Sequence, residues 1–137
     1  MERKKELEEN YVKLNLMKNQ LNNMLVEKNI LETKINEIST TIETIEEIKK
    51  LKKNDEVWSS VGSGVYMSAT INDPDKIMVN IGANTLMKKT IGKAEEFLEK
   101  KDDELKALDQ QLTAKIIQFS DEIKETENKI RELAGEK

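Results

Sequence analysis

The sequence has no cysteine, no histidine, one proline and only 4% aromatic residues. Each shortage excludes something. Without cysteine there is no disulfide and no thiolate metal site. Without histidine the commonest general base and metal ligand are gone. No serine then has a candidate base, and no motif supports Ser–Lys chemistry. A compact globule of 137 residues would bury more aromatic area than this chain offers. No run approaches the roughly eighteen apolar residues of a membrane span. The N-terminal MERKKELEEN lacks the apolar core of a signal peptide. A cytoplasmic location without membrane contact is therefore expected. A net charge of −4 does not favour nucleic acid as a partner.

What the chain does have is charge, at 36% of its residues, laid out with a helical period. Over residues 5–52 apolar side chains fall at Leu14, Met17, Leu21, Met24, Leu31, Ile35, Ile38, Ile42 and Ile45. The steps alternate three and four, with Lys28 as the one polar member. That is a coiled-coil seam. Over residues 90–134 a second seam runs through Ile91, Ala94, Leu98, Leu105, Leu108, Leu112, Ile116, Phe119, Ile123, Ile130 and Leu133. Lys101 and Thr126 fill its polar positions. Two successive steps of four between Leu108 and Ile116 predict a stutter there. Lys49, Lys50, Lys52 and Lys53 end the first segment, where cations complement a helix dipole.

The two segments are of nearly equal length, each about 65–70 Å at 1.5 Å per residue. This predicts an antiparallel hairpin. Pairs such as Ile45–Leu98, Ile38–Leu105, Leu31–Leu112, Leu21–Ile123 and Leu14–Ile130 keep a sum of residue numbers of about 142–144. In that register Lys28 faces the layer of Lys115 and must turn toward Glu27 and Glu32.

Between the segments the chain changes character. VWSSVGSGVYMSATINDPDKIMVNIGA, residues 57–83, is low in charge and alternates apolar residues. Val57, Ser59 and Val61 form one run. Val65, Met67, Ala69 and Ile71 form a second, and Ile77, Val79 and Ile81 a third. A fourth is expected near Thr85–Lys88. These read as short strands in two hairpins over residues 56–89. GSG and GAN punctuate them, and Asp73-Pro74-Asp75 is a turn signal. Two hairpins alone cannot bury a sheet, and their edges stay open. Assembly between subunits is the expected resolution, with Trp58 and Tyr66 facing a neighbour.

The ligand readings of this stretch fail. Gly62-Ser63-Gly64 lacks the rest of a dinucleotide fingerprint, with Met67 where glycine belongs and no βαβ unit. Gly92-Lys93 is followed by Ala94 and has no glycine at position 87, so it is no phosphate loop. Asp73 and Asp75 lack the later glycine and glutamate of a calcium loop.

One feature exceeds an ordinary coiled coil. Residues 7–26 hold ten apolar residues: Leu7, Tyr11, Val12, Leu14, Leu16, Met17, Leu21, Met24, Leu25 and Val26. A two-helix seam cannot cover that width. Val12, Leu16, Leu25 and Val26 should be exposed for a partner, or a third helix packs on them. Flexible Met17 and Met24 suit a surface that accepts many shapes.

Residues 62–101, GSGVYMSATINDPDKIMVNIGANTLMKKTIGKAEEFLEKK, carry a resemblance. The glycine-rich entry to a strand, the aspartate turn, Val79-Asn80-Ile81-Gly82 and Ala94-Glu95-Glu96-Phe97-Leu98 resemble the alpha class of the prefoldin family. The resemblance implies a fold of α+β class. It is a long two-helix coiled coil with about four central strands that oligomerise into a β-barrel. It implies one domain over residues 1–137. It further implies an ATP-independent holdase, not an enzyme, with no cofactor or metal. Client contact would fall at the coil tip, on Leu7, Tyr11, Val12, Leu14, Leu16, Met17, Ile130 and Leu133. Assembly would fall on Val57, Trp58, Val65, Tyr66, Met67, Ile71, Ile77, Val79 and Ile81. The implied partners are other prefoldin subunits (self or beta-class), unfolded clients and a group II chaperonin. The gamma-prefoldin variant implies a filament or scaffold instead.

Overall fold

The structure is a computed structural model and describes residues 2–135. Residues 1, 136 and 137, the ends of the expected single domain, lie outside the described residues. The element order is α1 (Glu2–Ile48), β1 (Glu56–Gly62), β2 (Val65–Thr70), β3 (Lys76–Asn80), β4 (Leu86–Thr90) and α2 (Ile91–Leu133). The chain is thus two long helices with four short antiparallel strands in two hairpins between them.

α1 has no glycine or proline to break it. Its buried and half-buried positions are Leu7, Asn10, Leu14, Met17, Leu21, Met24, Lys28, Leu31, Ile35, Ile38, Ile42, Ile45 and Ile48. The steps alternate three and four from Leu7 to Ile45, the coiled-coil repeat, and a second step of three ends the line at Ile48. The helix stops at Ile48, short of the expected residue 52. The amides of Lys50 and Leu51 turn back to the carbonyls of Glu47 and Ile48, three residues behind, which tightens the last turn. The Asp55 carboxylate then accepts the Lys52 amide at 2.8 Å, and Asn54 takes a left-handed conformation at φ 74.

The chain divides into two units. In the first, residues 2–35 and 104–135, the two helices run antiparallel. Leu14, Met17, Ile123 and Ile130 form its buried core, with Leu7, Leu21 and Phe119 packed against it. The Thr126 hydroxyl lies 3.7 Å from the Met17 sulfur. Arg3 donates from Nε to the Leu133 carbonyl at 2.7 Å and from Nη2 to that of Glu132 at 3.1 Å. This places a cation on the orphan carbonyls ending α2. Met17 and Thr126 match the expected register, while Arg3 reaches along α2 to carbonyls beyond it.

One layer of this unit departs from expectation. The seam of α2 passes through half-buried Asp109, while Leu108 is exposed. The cause is Lys28. Its Nζ donates to Asp109 Oδ1 at 3.0 Å and to the Thr113 hydroxyl at 2.7 Å, and Glu32 lies 3.1 Å away. Lys28 therefore meets Asp109, not the layer of Lys115. The seam then steps evenly from Leu105 through Asp109 and Leu112 to Ile116. No stutter falls between Leu108 and Ile116. The two successive steps of four lie at Ala94, Leu98 and Asp102 instead.

The second unit, residues 36–103, holds both hairpins. Ala94 is wholly buried and Ile45 nearly so. Lys49 bridges Glu46 at 2.9 Å and Glu95 at 2.7 Å. In the first hairpin Ser63 and Gly64 both have positive φ, at 50 and 77, as a type I′ turn requires. A bulge between Ser60 and Gly62 adjusts the register. In the second hairpin the loop closes through Ile81 and Thr85, with the Asn80 side chain accepting the Gly82 amide. Between the hairpins Asp73 accepts the Asp75 amide at 3.0 Å, so DPD is a turn. The fourth strand runs Leu86–Thr90, two residues further than Thr85–Lys88 predicted.

Candidate interaction surfaces

Among the described residues, large apolar side chains stand exposed on two faces. The first face is on α1 in the helical unit. Val12 is 61% and Leu16 59% exposed, and Tyr11, Leu25, Val26 and Ile30 are exposed beside them. Among the described residues no further helix covers these side chains. They are uncovered because a two-helix seam buries only two positions in seven.

The residues expected at the tip divide by position. Tyr11, Val12 and Leu16 stand on the surface. Leu7 and Leu133 are half-buried at the seam's edge. Leu14, Met17 and Ile130 are buried, because they are seam positions that hold the helices together. Ile30, and Ile117 on α2, are exposed apolar residues not singled out from the sequence. The seven-residue repeat itself would have found them, since both fall outside its seam.

The second face is on the hairpins. Trp58 pairs with Ser68, and Ser60 pairs with Tyr66. Strand alternation therefore puts Trp58 and Tyr66 on one face of the first hairpin, diagonal to each other. Trp58, Val65, Tyr66, Met67 and Ile81 are exposed, Trp58 to 68%. Val57, Ile71, Ile77 and Val79 are half-buried. Ile77 and Val79 line a shallow pocket with Ile45, Ala94, Phe97 and Leu98, so one face of β3 leans on the helices of its own unit. The other face carries Met78, paired with Lys88, and Leu86, paired with Asn80. Met78, Leu86 and Met87 are also exposed. Two sheets of two strands thus leave apolar faces and free edges uncovered.

The electrostatics are local. Asp109, then Glu32, hold the Lys28 ammonium above the ordinary lysine range. Glu95, then Glu46, do the same for Lys49, and Lys49 holds the Glu46 carboxyl below the usual glutamate range. These are ion pairs that brace the seam.

The comparison with known families decides the identity of this arrangement. The family model for prefoldin, described as prefoldin subunit, matches residues 17–136. The chain belongs to the prefoldin family. Its relatives place it in the alpha class. It is 32% identical over 102 residues to prefoldin subunit alpha of Thermofilum pendens, covering 74% of this chain and 79% of that one. It is 26% identical over 121 residues to the alpha subunit of Archaeoglobus fulgidus, covering 86% of each. Among solved structures, a filamentous prefoldin from Methanocaldococcus jannaschii superposes with a TM-score of 0.74 at 19% identity, over 84% of this chain and 95% of that one. The prefoldin beta subunit of Thermococcus strain KS-1 gives 0.60 at 17% identity, over 93% and 90%. These two structures share the fold. Prefoldins are non-enzymatic chaperone subunits that assemble with other prefoldin subunits, and this chain is a chaperone subunit of that family. Among its described residues no helix is long and apolar enough to cross a membrane.

Proposed function

We propose that this prefoldin subunit is an ATP-independent holdase of the cytoplasm that binds unfolded proteins along the outer side of α1. The observation that carries this is the uncovered apolar surface of Tyr11, Val12 and Leu16 in a chain that is 36% charged. Leu7 and Leu133 form the rim of that surface, and Leu14, Met17 and Ile130 hold it in place. Each contact is an open apolar side chain, so affinity per contact is low and many sequences fit. No nucleotide site enters the scheme. Assembly runs through the hairpins, with Val57, Trp58, Val65, Tyr66, Met67, Ile71 and Ile81 covered by strands of neighbouring subunits in a shared barrel, while Ile77 and Val79 hold β3 against its own helices. Clients then pass to a chaperonin. The test is suppression of aggregation of a chemically unfolded enzyme without nucleotide. Replacing Tyr11, Val12 and Leu16 by serine should abolish protection while leaving assembly intact. Unchanged protection would sink the surface assignment.

A second reading is a filament or scaffold built from this subunit alone. The likeness to a filamentous prefoldin favours it. Electron microscopy of the purified chain separates the two. Long filaments support the scaffold; a small oligomer that becomes a hexamer only with a beta-class partner supports the first reading.

A further inference from the structure

α1 carries a second line of residues opposite its seam. Val12, Leu16, Asn19, Asn23, Val26 and Ile30 step by four and three in alternation, as a seam does. On a helix whose first seam repeats every seven residues, this line runs along the far side. All six residues are exposed. A helix with two opposed seams has a place for a second helical partner.

The line reads alike in both directions. Val12 and Ile30, Leu16 and Val26, and Asn19 and Asn23 stand at equal distances on either side of position 21. Laid antiparallel on a second copy of α1, each residue therefore meets its mate. Asn19 against Asn23 lets each amide both donate and accept. A purely apolar partner would leave those amides unpaired, at a cost. Buried asparagine in such a seam also fixes register.

The borders of the line agree. On one side the antiparallel pairing sets Lys13 beside Glu27 and Lys34 beside Glu6 of the other copy. On the other side it sets Asn15 beside Asn29. Among the described residues Lys13, Glu27 and Lys34 have no ion-pair partner within the chain, and Glu6 has only a long contact of 3.7 Å to Lys129. A parallel pairing would instead set Lys13 beside Glu8, Glu27 beside Asn22 and Lys34 beside Asn29, and so leave Glu27 and Lys34 without an opposite charge.

We propose that two copies of this chain pair antiparallel through the outer face of α1, about a two-fold axis at position 21. Such a pair is isologous, since the same patch serves both copies. It is separate from the hairpin contacts and does not depend on client binding. It covers Val12 and Leu16, so pairing and client capture compete. The polar centre keeps the pairing weak enough to be displaced.

The absence of native cysteine gives a clean test in the full chain. Leu16→Cys and Val26→Cys are made separately, then oxidised mildly, alone and as a mixture. A disulfide needs Cα atoms within about 7 Å. Antiparallel pairing brings position 16 to position 26 of the other copy, but holds like positions roughly 15 Å apart along the axis. The mixture should give at least about tenfold more of the mixed dimer than either variant gives of its own dimer. Adding Lys13→Glu should lower the yield several-fold, and adding Glu27→Lys as well should restore it. Equal dimer from either variant alone would overturn the proposal in favour of parallel or indiscriminate contact. No dimer in the mixture would overturn it in favour of another occupant, such as a client or a different helix.

Discussion

Lys28 and Asp109 show how one residue can move a seam. Counting apolar residues favours Leu108, because a leucine normally outcompetes an aspartate for a buried position. Lys28 reverses this, since an ammonium in the seam needs a carboxylate and a hydroxyl within reach. Lys28 and its seam position were legible in the sequence. Its partner was not, because a charge pair across two helices leaves no periodic trace. Removing Lys28 leaves the half-buried Asp109 carboxylate without its cation, whereas replacing both by apolar residues does not. Lys28→Leu should therefore lower the melting temperature, and Lys28→Leu with Asp109→Leu should recover it or exceed the original, by thermal unfolding followed by circular dichroism. The trio of Glu46, Lys49 and Glu95 makes a pH prediction. The folded pKa of Glu46 lies below its unfolded value, through Lys49 first. Its contribution is full above the ordinary glutamate range and lost as pH falls through the depressed value. The gap in melting temperature between the native chain and Lys49→Met should therefore narrow on acidification.

At the scale of elements, both helices and both hairpins were legible. The alternation of three and four steps marked the seams, and alternate apolar residues with GSG, DPD and GAN marked the strands and turns. Helix ends were less so. α1 stops at Ile48 because of backbone bonds from Lys50 and Leu51 and a side-chain bond from Asp55, which no hydrophobic pattern announces. The start of α2 depends on small size. Ala94 is wholly buried beside the Ile45 layer, so added bulk has no room. Ala94→Leu should cost about 1–3 kcal/mol, the usual penalty of overpacking, measured by urea unfolding. The hairpins carry their prediction in Trp58, the only tryptophan and an exposed one. If strands of neighbouring subunits cover it, its fluorescence maximum should shift to shorter wavelength as concentration drives assembly, and Tyr66→Lys on the same face should prevent the shift.

For the whole molecule, sequence patterning alone points to two separate uncovered regions. The excess apolar width of residues 7–26 required exposed side chains, and α1 exposes Tyr11, Val12, Leu16, Leu25 and Val26. What patterning could not do was sort that stretch into supports and surface. Leu14 and Met17 look the same as Leu16 by composition, and only the phase of the seam assigns the first two to the core. The central claim is that the two regions have different work: the outer face of α1 takes clients, in competition with its own pairing, and the hairpins build the assembly. Photocrosslinking tests it most directly. Tyr11 and, separately, Trp58 are replaced by photoreactive benzoylphenylalanine in the full chain, and each protein is irradiated with an unfolded enzyme. The account predicts client adducts from position 11 and subunit adducts from position 58. Client adducts formed chiefly from position 58, with few from position 11, would contradict it.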